Sequence, residues 1–258
     1  EVDFPPDLLE TLYGAVSRAN ADVGFILCGL ISEEETLEQA LKRREAGTMR
    51  LRSTWNDAVR ALDGKERLTD RDRERLMAEP VGGVVNALFS RRLLQRCHVR
   101  FPEGRRYDDN YWMPQVWAHV EKVVLCDKIG YFYRANPNST VRSRNAPYHM
   151  DRCVLENALL DAVKENGLFE RYHAAWEYLY TQRYVLNSYH IFVHLFDDFP
   201  RDAAYRLFVE LRENFPHWAQ NRFYREKVRG LKALKNRLLI ACPRLYTRLY
   251  LLRLGRWR

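Results

Sequence analysis

The chain has 258 residues, 47% of them hydrophobic, and a formal net charge of +8. That length and apolarity can bury one good core or two small ones, which excludes a disordered protein. Five widely spaced cysteines without a Cys-x-x-Cys pair exclude a zinc ribbon and read as buried thiols of a reducing compartment.

The charge is unevenly spread. Residues 225–258 carry eleven Lys/Arg against Glu226 alone, whereas the first 224 residues carry 31 basic and 33 acidic side chains. The surplus belongs to the tail and points to a local anionic partner, a membrane surface or a polyanion. No charged segment followed by an apolar one opens the sequence, so no signal peptide is expected, and Glu1 reads as a cut.

In chain order, Pro5-Pro6 precede a helix over residues 7–20 whose stripe is Leu8, Leu9, Leu12, Ala15 and Val16. Val23–Ile31 is a nearly continuous apolar run between Asp22 and Ser32, fitting a buried central strand and too short to span a bilayer. An acidic start and a basic, Gly-terminated end predict a helix over 32–47. Residues 49–54 read as extended and 55–62 as helical, and the dense charges of 63–79 as a solvated helix capped at Thr69. Gly82-Gly83 then precede a predicted helix through Val84, Val85, Leu88, Phe89 and Leu93. A Gly pair before a helix can cradle phosphate, but no Walker pattern or G-x-G-x-x-G accompanies it.

Residues 99–142 hold the most informative stretch. It reads as a short strand (99–101), a Pro/Gly turn, a helix opened by Asp108 and Asp109, two β-rich runs and a polar loop. Met113, Val116, Trp117 and Val120 recur at helical spacing and predict a core-facing stripe, with Asp109 one turn earlier on that stripe and Asp108 on its flank. An inward acid at a helix start either caps free N–H groups or serves as a general base, and spacing alone favours the cap. The loop over 136–146 adds hydroxyls and arginines, with a solvated turn as its plain reading.

From His149 onward the pattern is helical: 150–166, 168–196 and 201–215, rich in aromatic residues at core spacing. His190, His194 and Asp198 share a face, but Ile191 stands where a zincin has Glu, so aromatic packing is the favoured reading. The tail predicts two amphipathic helices joined at Pro243, with leucine stripes 231/234/238 and 245/249/252 flanked by Tyr246, Tyr250 and Trp257. Such a tail suits an anionic headgroup region; nucleic-acid binding has only the charge behind it, with no recognition motif.

The segment FPEGRRYDDNYWMPQVWAHVEKVVLCDKIGYFYRANPNSTVRS resembles the acceptor-side part of family 2 glycosyltransferases, whose pattern runs FPEG, an acidic-Asp-Asn helix start, an apolar helix, a strand ending Y-x-Y-R, and N-x-x-S-T. VVNALFSRRLLQ is similar to that family's N-K-L-Y-x-R-x-L-L segment, and PPDLLETLYGAVSRANADVGFILCG to the helix and strand after its metal-binding Asp-x-Asp. The likeness covers residues 4–144 in order. Two departures stand out within it: Asp108 replaces Glu, and Asn86-Ala87-Leu88 lacks the Lys. The family's nucleotide-binding first half has no counterpart.

The resemblance implies an α/β, helix-rich chain: a partial GT-A, Rossmann-like sheet over 1–146, a helical domain over 147–224, and a basic tail over 225–258 at the membrane. It implies transfer of a sugar from a nucleotide sugar, with inversion, to a glycan or lipid-linked acceptor at the inner membrane face. Asp109, paired with Asp108, would be the base. Arg105, Arg106, Tyr107, Tyr111 and Trp112 would bind acceptor, and Ser139, Thr140, Arg142 and Arg144 would line the donor loop. A divalent cation (Mg or Mn) would serve the complete enzyme, with Asp3 the one possible remnant of its ligands, and residues 1–258 alone would not turn over. The alternative is a non-catalytic peripheral membrane or interaction module.

Overall fold

The computed structural model describes residues 4–52, 57–79, 84–134, 136 and 139–256. Asp3, Gly82-Gly83 and Trp257, singled out above, lie outside them, as do residues 53–56 of the two segments expected over 49–62 and residues 137–138 of the polar loop. The chain is helix-rich α/β with a three-stranded mixed sheet, and it divides into two compact units: Glu1–Pro102 with Asp109–Pro137, and Glu103–Asp108 with Asn138–Arg258. The division differs from the boundaries expected at 146/147 and 224/225.

In the first unit, α1 (Leu8–Ala19) buries Leu8 and Leu12 and leaves Leu9 exposed, narrowing the expected stripe. It leads into β1 (Val23–Ile31), the central strand, which is buried almost throughout. α2 (Leu37–Glu45) starts later than expected, because Thr36 and Gln39 form a capping box that sets the N-terminus there. Extended residues near Leu51 reach Gly29 by an isolated bridge, where a Cβ would overlap Met49 Sδ. α3 (Asp57–Arg60) follows, and α4 (Asp70–Ala78) begins at the expected cap, Thr69.

The helix expected from Val84 is corrected. A 3₁₀ turn (Val84–Asn86) gives way to β2 (Ala87–Phe89), which pairs antiparallel with β1, and Ser90 caps a new helix, α5 (Arg91–Cys97), by accepting from Leu93 N–H. Asn86, wholly buried, donates from Nδ2 to the Ile26 carbonyl at 3.0 Å and so ties the turn to the central strand. Nor do residues 99–101 form a strand; the left-handed His98 (φ 52°) ends α5 and turns the chain away.

α6 (Asp108–Trp117) buries Met113, Val116 and Trp117 as the stripe predicts, with Val120 just beyond it. The two expected β-runs are one strand, β3 (Val123–Arg134), parallel to β1, with irregular register between Cys126 and Tyr131 where Asp127 and Lys128 stand exposed. The strand order β2-β1-β3 thus joins three segments far apart in sequence.

The second unit is helical. α7 (Asp151–Glu165), α8 (Leu168–Arg171) and α9 (His173–Leu179) lead through a π-helical segment, Tyr180–Asn187, into α10 (Ser188–Leu195), where one long helix was expected. α11 (Arg201–Asn214), α12 (Arg222–Lys227), α13 (Gly230–Ala241) and α14 (Pro243–Arg253) complete it. Tyr184, Phe192, Leu207 and Phe208 share one core cluster with Leu239, Ile240 and Leu251, so the tail helices are built into this unit.

Candidate functional site

The sequence places the candidate acids on consecutive residues, yet the division between units falls between them: Asp108 belongs to the second unit and Asp109 to the first. In the first unit, Asp109 is half-buried in the opening turn of α6, and its Oδ1 accepts from the Asn110 N–H at 2.9 Å. This is the helix-end amide contact of the capping reading. Tyr111 is half-buried, and its carbonyl accepts from Gln115 Nε2.

Trp112 requires a correction. Its ring is 5% exposed, stacked on Phe101 at 4.6 Å and 10°, edge-on to Phe89 at 5.1 Å, with Nε1 donating to the Val99 carbonyl at 3.2 Å. A ring so enclosed is a packing anchor rather than a sugar platform. The exposed ring at this place is Phe101, at 42%. Sequence reasoning missed it because a single Phe in FPEG carries no sign of what lies beneath its ring.

In the second unit, Asp151 organises the turn before α6. Its Oδ1 pairs with Arg105 Nη1 at 2.8 Å and its Oδ2 accepts from the Arg106 N–H at 3.0 Å. Arg106 itself is exposed, its guanidinium 5.9 Å from the Tyr148 ring centre. Tyr107 adopts a left-handed backbone (φ 63°), uncommon for a bulky side chain. Contacts with the next helix's start help to hold it: the Arg152 guanidinium lies 4.8 Å from its ring centre, and its hydroxyl lies 2.6 Å from His149 Nδ1. His149 Nε2 is 2.7 Å from the Ser143 carbonyl, which can only accept, so Nε2 donates and, in the neutral ring, Nδ1 accepts from Tyr107. With these contacts Tyr107 braces the loop before α7, where a sugar platform was expected.

The expected donor loop is a 3₁₀ turn, Thr140–Arg142, preceded by Ser139, whose carbonyl accepts from the Arg142 N–H. Thr140 and Arg142 are exposed and Ser139 half-buried. Arg144 is committed elsewhere: it pairs with Asp197 and donates to the His194 carbonyl at 3.1 Å, while Asn145 Nδ2 donates to Asp197 Oδ2 at 2.7 Å. These donors hold the Asp197 carboxyl below the usual carboxylate range, the Asn145 bond foremost. Asp151 and Asp197 gave no sequence signal, since each meets its partner across some fifty residues.

An open cleft of about 900 Å³ lies elsewhere in the first unit, between α1 and the start of β3, lined by Asp7, Glu10, Arg18 and Lys128 among others. It includes none of the residues expected at the site. The His190 and His194 ring centres lie 4.2 Å apart, tilted at 48°, and the Tyr250 hydroxyl is 3.4 Å from His194 Nε2; His194 is half-buried in the aromatic packing favoured from the sequence, whereas His190 is exposed. Among the described residues no three His, Cys, Asp or Glu side chains gather as a metal-ligand set. No protein-family model and no curated protein matches the chain.

Proposed function

We propose that the chain is the acceptor-side half of an inverting, nucleotide-sugar-dependent glycosyltransferase. Its acceptor is a glycan or lipid-linked sugar, and its place is the cytoplasmic face of a membrane, bound peripherally. The carrying observation is the single sheet formed by three segments of the resemblance, β1, β2 and β3, with the half-buried Asp109 opening the helix that precedes β3. In open α/β sheets the loops and helix ends around the strands carry ligand-binding groups, which suits an acid so placed.

In this reading Asp109 accepts the proton of an acceptor hydroxyl as its oxygen attacks the anomeric carbon, with the Asn110 amide fixing the carboxylate. Phe101 offers its exposed ring to the acceptor sugar, over the Trp112 support. Arg106 and Arg142, both exposed, suit anionic groups of the substrates, Arg142 the donor diphosphate. A donor-binding half would lie upstream, so the assay uses the protein read in frame beyond Glu1.

The test is sugar transfer from a panel of nucleotide sugars by that protein and its Asp109→Asn variant. Transfer that the variant loses, with nucleotide-sugar binding kept, supports the assignment; undiminished transfer rejects it. Phe101→Ala is expected to raise the acceptor KM several-fold while leaving donor KM unchanged; a change in donor KM alone would reject the platform. The rival reading, a non-catalytic interaction module, is favoured by the contact between Asp109 and Asn110, because a capping acid needs no further role.

A further inference from the structure

We propose that α13 and α14 present a preformed docking face for an anionic lipid surface, in which two leucine stripes enter the headgroup boundary and the flanking Lys and Arg side chains meet lipid phosphates. This extends the peripheral location proposed above by naming the surface. Its test involves no sugar transfer, so either reading can fail alone.

The first observation is apolar exposure in an ordered pattern. Leu231, Leu234 and Leu238 on α13 and Leu245, Leu249 and Leu252 on α14 are each 50–66% exposed. At about 100° per residue the three on α13 share one side, bordered by Lys235 and Arg237, while buried Leu239 and Ile240 lie on the other. On α14 the three leucines share a side bordered by Arg248 and Arg253, opposite buried Thr247 and Leu251. Each helix therefore has two apolar faces, one used by the core and one facing solvent. Leucine repeated at helical spacing on a solvent face marks an interaction surface rather than scattered exposure.

The second observation is charge. From Val228 to Arg256 there are eight Lys/Arg and no Asp or Glu. A protein partner with a mixed surface would ordinarily be met by both signs, whereas one-signed flanks beside leucine and half-buried Tyr246 and Tyr250 suit a surface that is negative outside and apolar beneath. Among the described residues no helix is long and apolar enough to cross a membrane, so the face would lie on the surface.

The third is rigidity. The Tyr189 hydroxyl and Thr247 Oγ1 lie 2.9 Å apart, Arg212 donates to the Ile240 carbonyl at 3.3 Å, and Arg256 caps the end of α10 through the Val193 and Phe196 carbonyls. The face is held by the helical unit rather than folded on contact, which lowers the ordering cost of binding.

Deleting the tail would open the core, so the test uses point variants of the full chain. Flotation with vesicles of phosphatidylglycerol and phosphatidylcholine (3:7) is compared with phosphatidylcholine alone, for wild type, for Leu234→Ser/Leu245→Ser/Leu249→Ser, and for Lys235→Glu/Arg237→Glu/Arg248→Glu. Circular dichroism melting verifies that each variant stays folded. The proposal expects at least ten-fold stronger partition onto the anionic vesicles, and at least ten-fold loss with either variant set. It is overturned by equal partition onto both vesicles or by none. It is also overturned if the leucine variants bind as wild type, which would make the tail a polyanion site, or if they convert a dimer to a monomer in light scattering, which would make the face a contact between copies.

Discussion

Asp22 shows how one residue can fix the start of a sheet. Its wholly buried carboxylate accepts from the Glu121 N–H at 2.7 Å and from Arg96 Nη2 at 3.0 Å, and its own backbone bonds to the Lys122 carbonyl and the Ser90 N–H. It thereby joins the starts of β1 and β3 to the end of β2. Arg92, at 3.5 Å and largely exposed, adds little. Asp22→Ala strands a buried amide and removes the ion pair with Arg96, so a loss of about 2–3 kcal/mol is expected in urea unfolding. A loss below about 0.5 kcal/mol would show that water replaces the carboxylate. The sequence marked Asp22 only as the boundary of an apolar run, since its partners lie 74 and 99 residues away.

At the scale of the element, the capped helix α4 gives a pH test. Burial works to raise the Asp72 carboxyl, but hydrogen bonds from Lys65 and Thr69 outweigh it and hold the group below its ordinary value of 3.8. A carboxyl depressed in the folded state stabilises above its unfolded value and loses that contribution as pH falls through the folded one. Asp72→Asn, which removes the charge and keeps an acceptor oxygen, is therefore expected to cost about 0.5–1 kcal/mol at pH 7, with the difference from wild type shrinking as the pH is taken below 4. A difference independent of pH would mean that shape, not charge, holds the cap. Local signals of this kind were legible: the Thr69 cap, the apolar run of β1 and the stripe of α6 all appear where sequence places them. What misled was pairing. Ala87–Phe89 reads as helix until Val23–Phe25 is available as a partner, and the polar Asp127-Lys128 pair reads as a gap between strands until the irregular register accommodates it.

At the scale of the whole molecule, the α/β character and the helical second half were legible in the spacing of apolar residues, while the division into units was not. Residues 103–108 belong with the helical unit through Asp151 and His149, contacts that no local pattern announces. Tyr107 is held by His149, Trp112 by Phe101 and Arg144 by Asp197, partners that the sequence does not announce, and the proposed sugar transfer rests first on Asp109. The most direct test sets Asp109→Asn beside Asp108→Asn in single-turnover transfer by the protein read in frame beyond Glu1. The account predicts a rate loss of about 10²–10⁴ for Asp109→Asn, the range of general-base catalysis, and under ten-fold for Asp108→Asn; equal, small losses for both would contradict it.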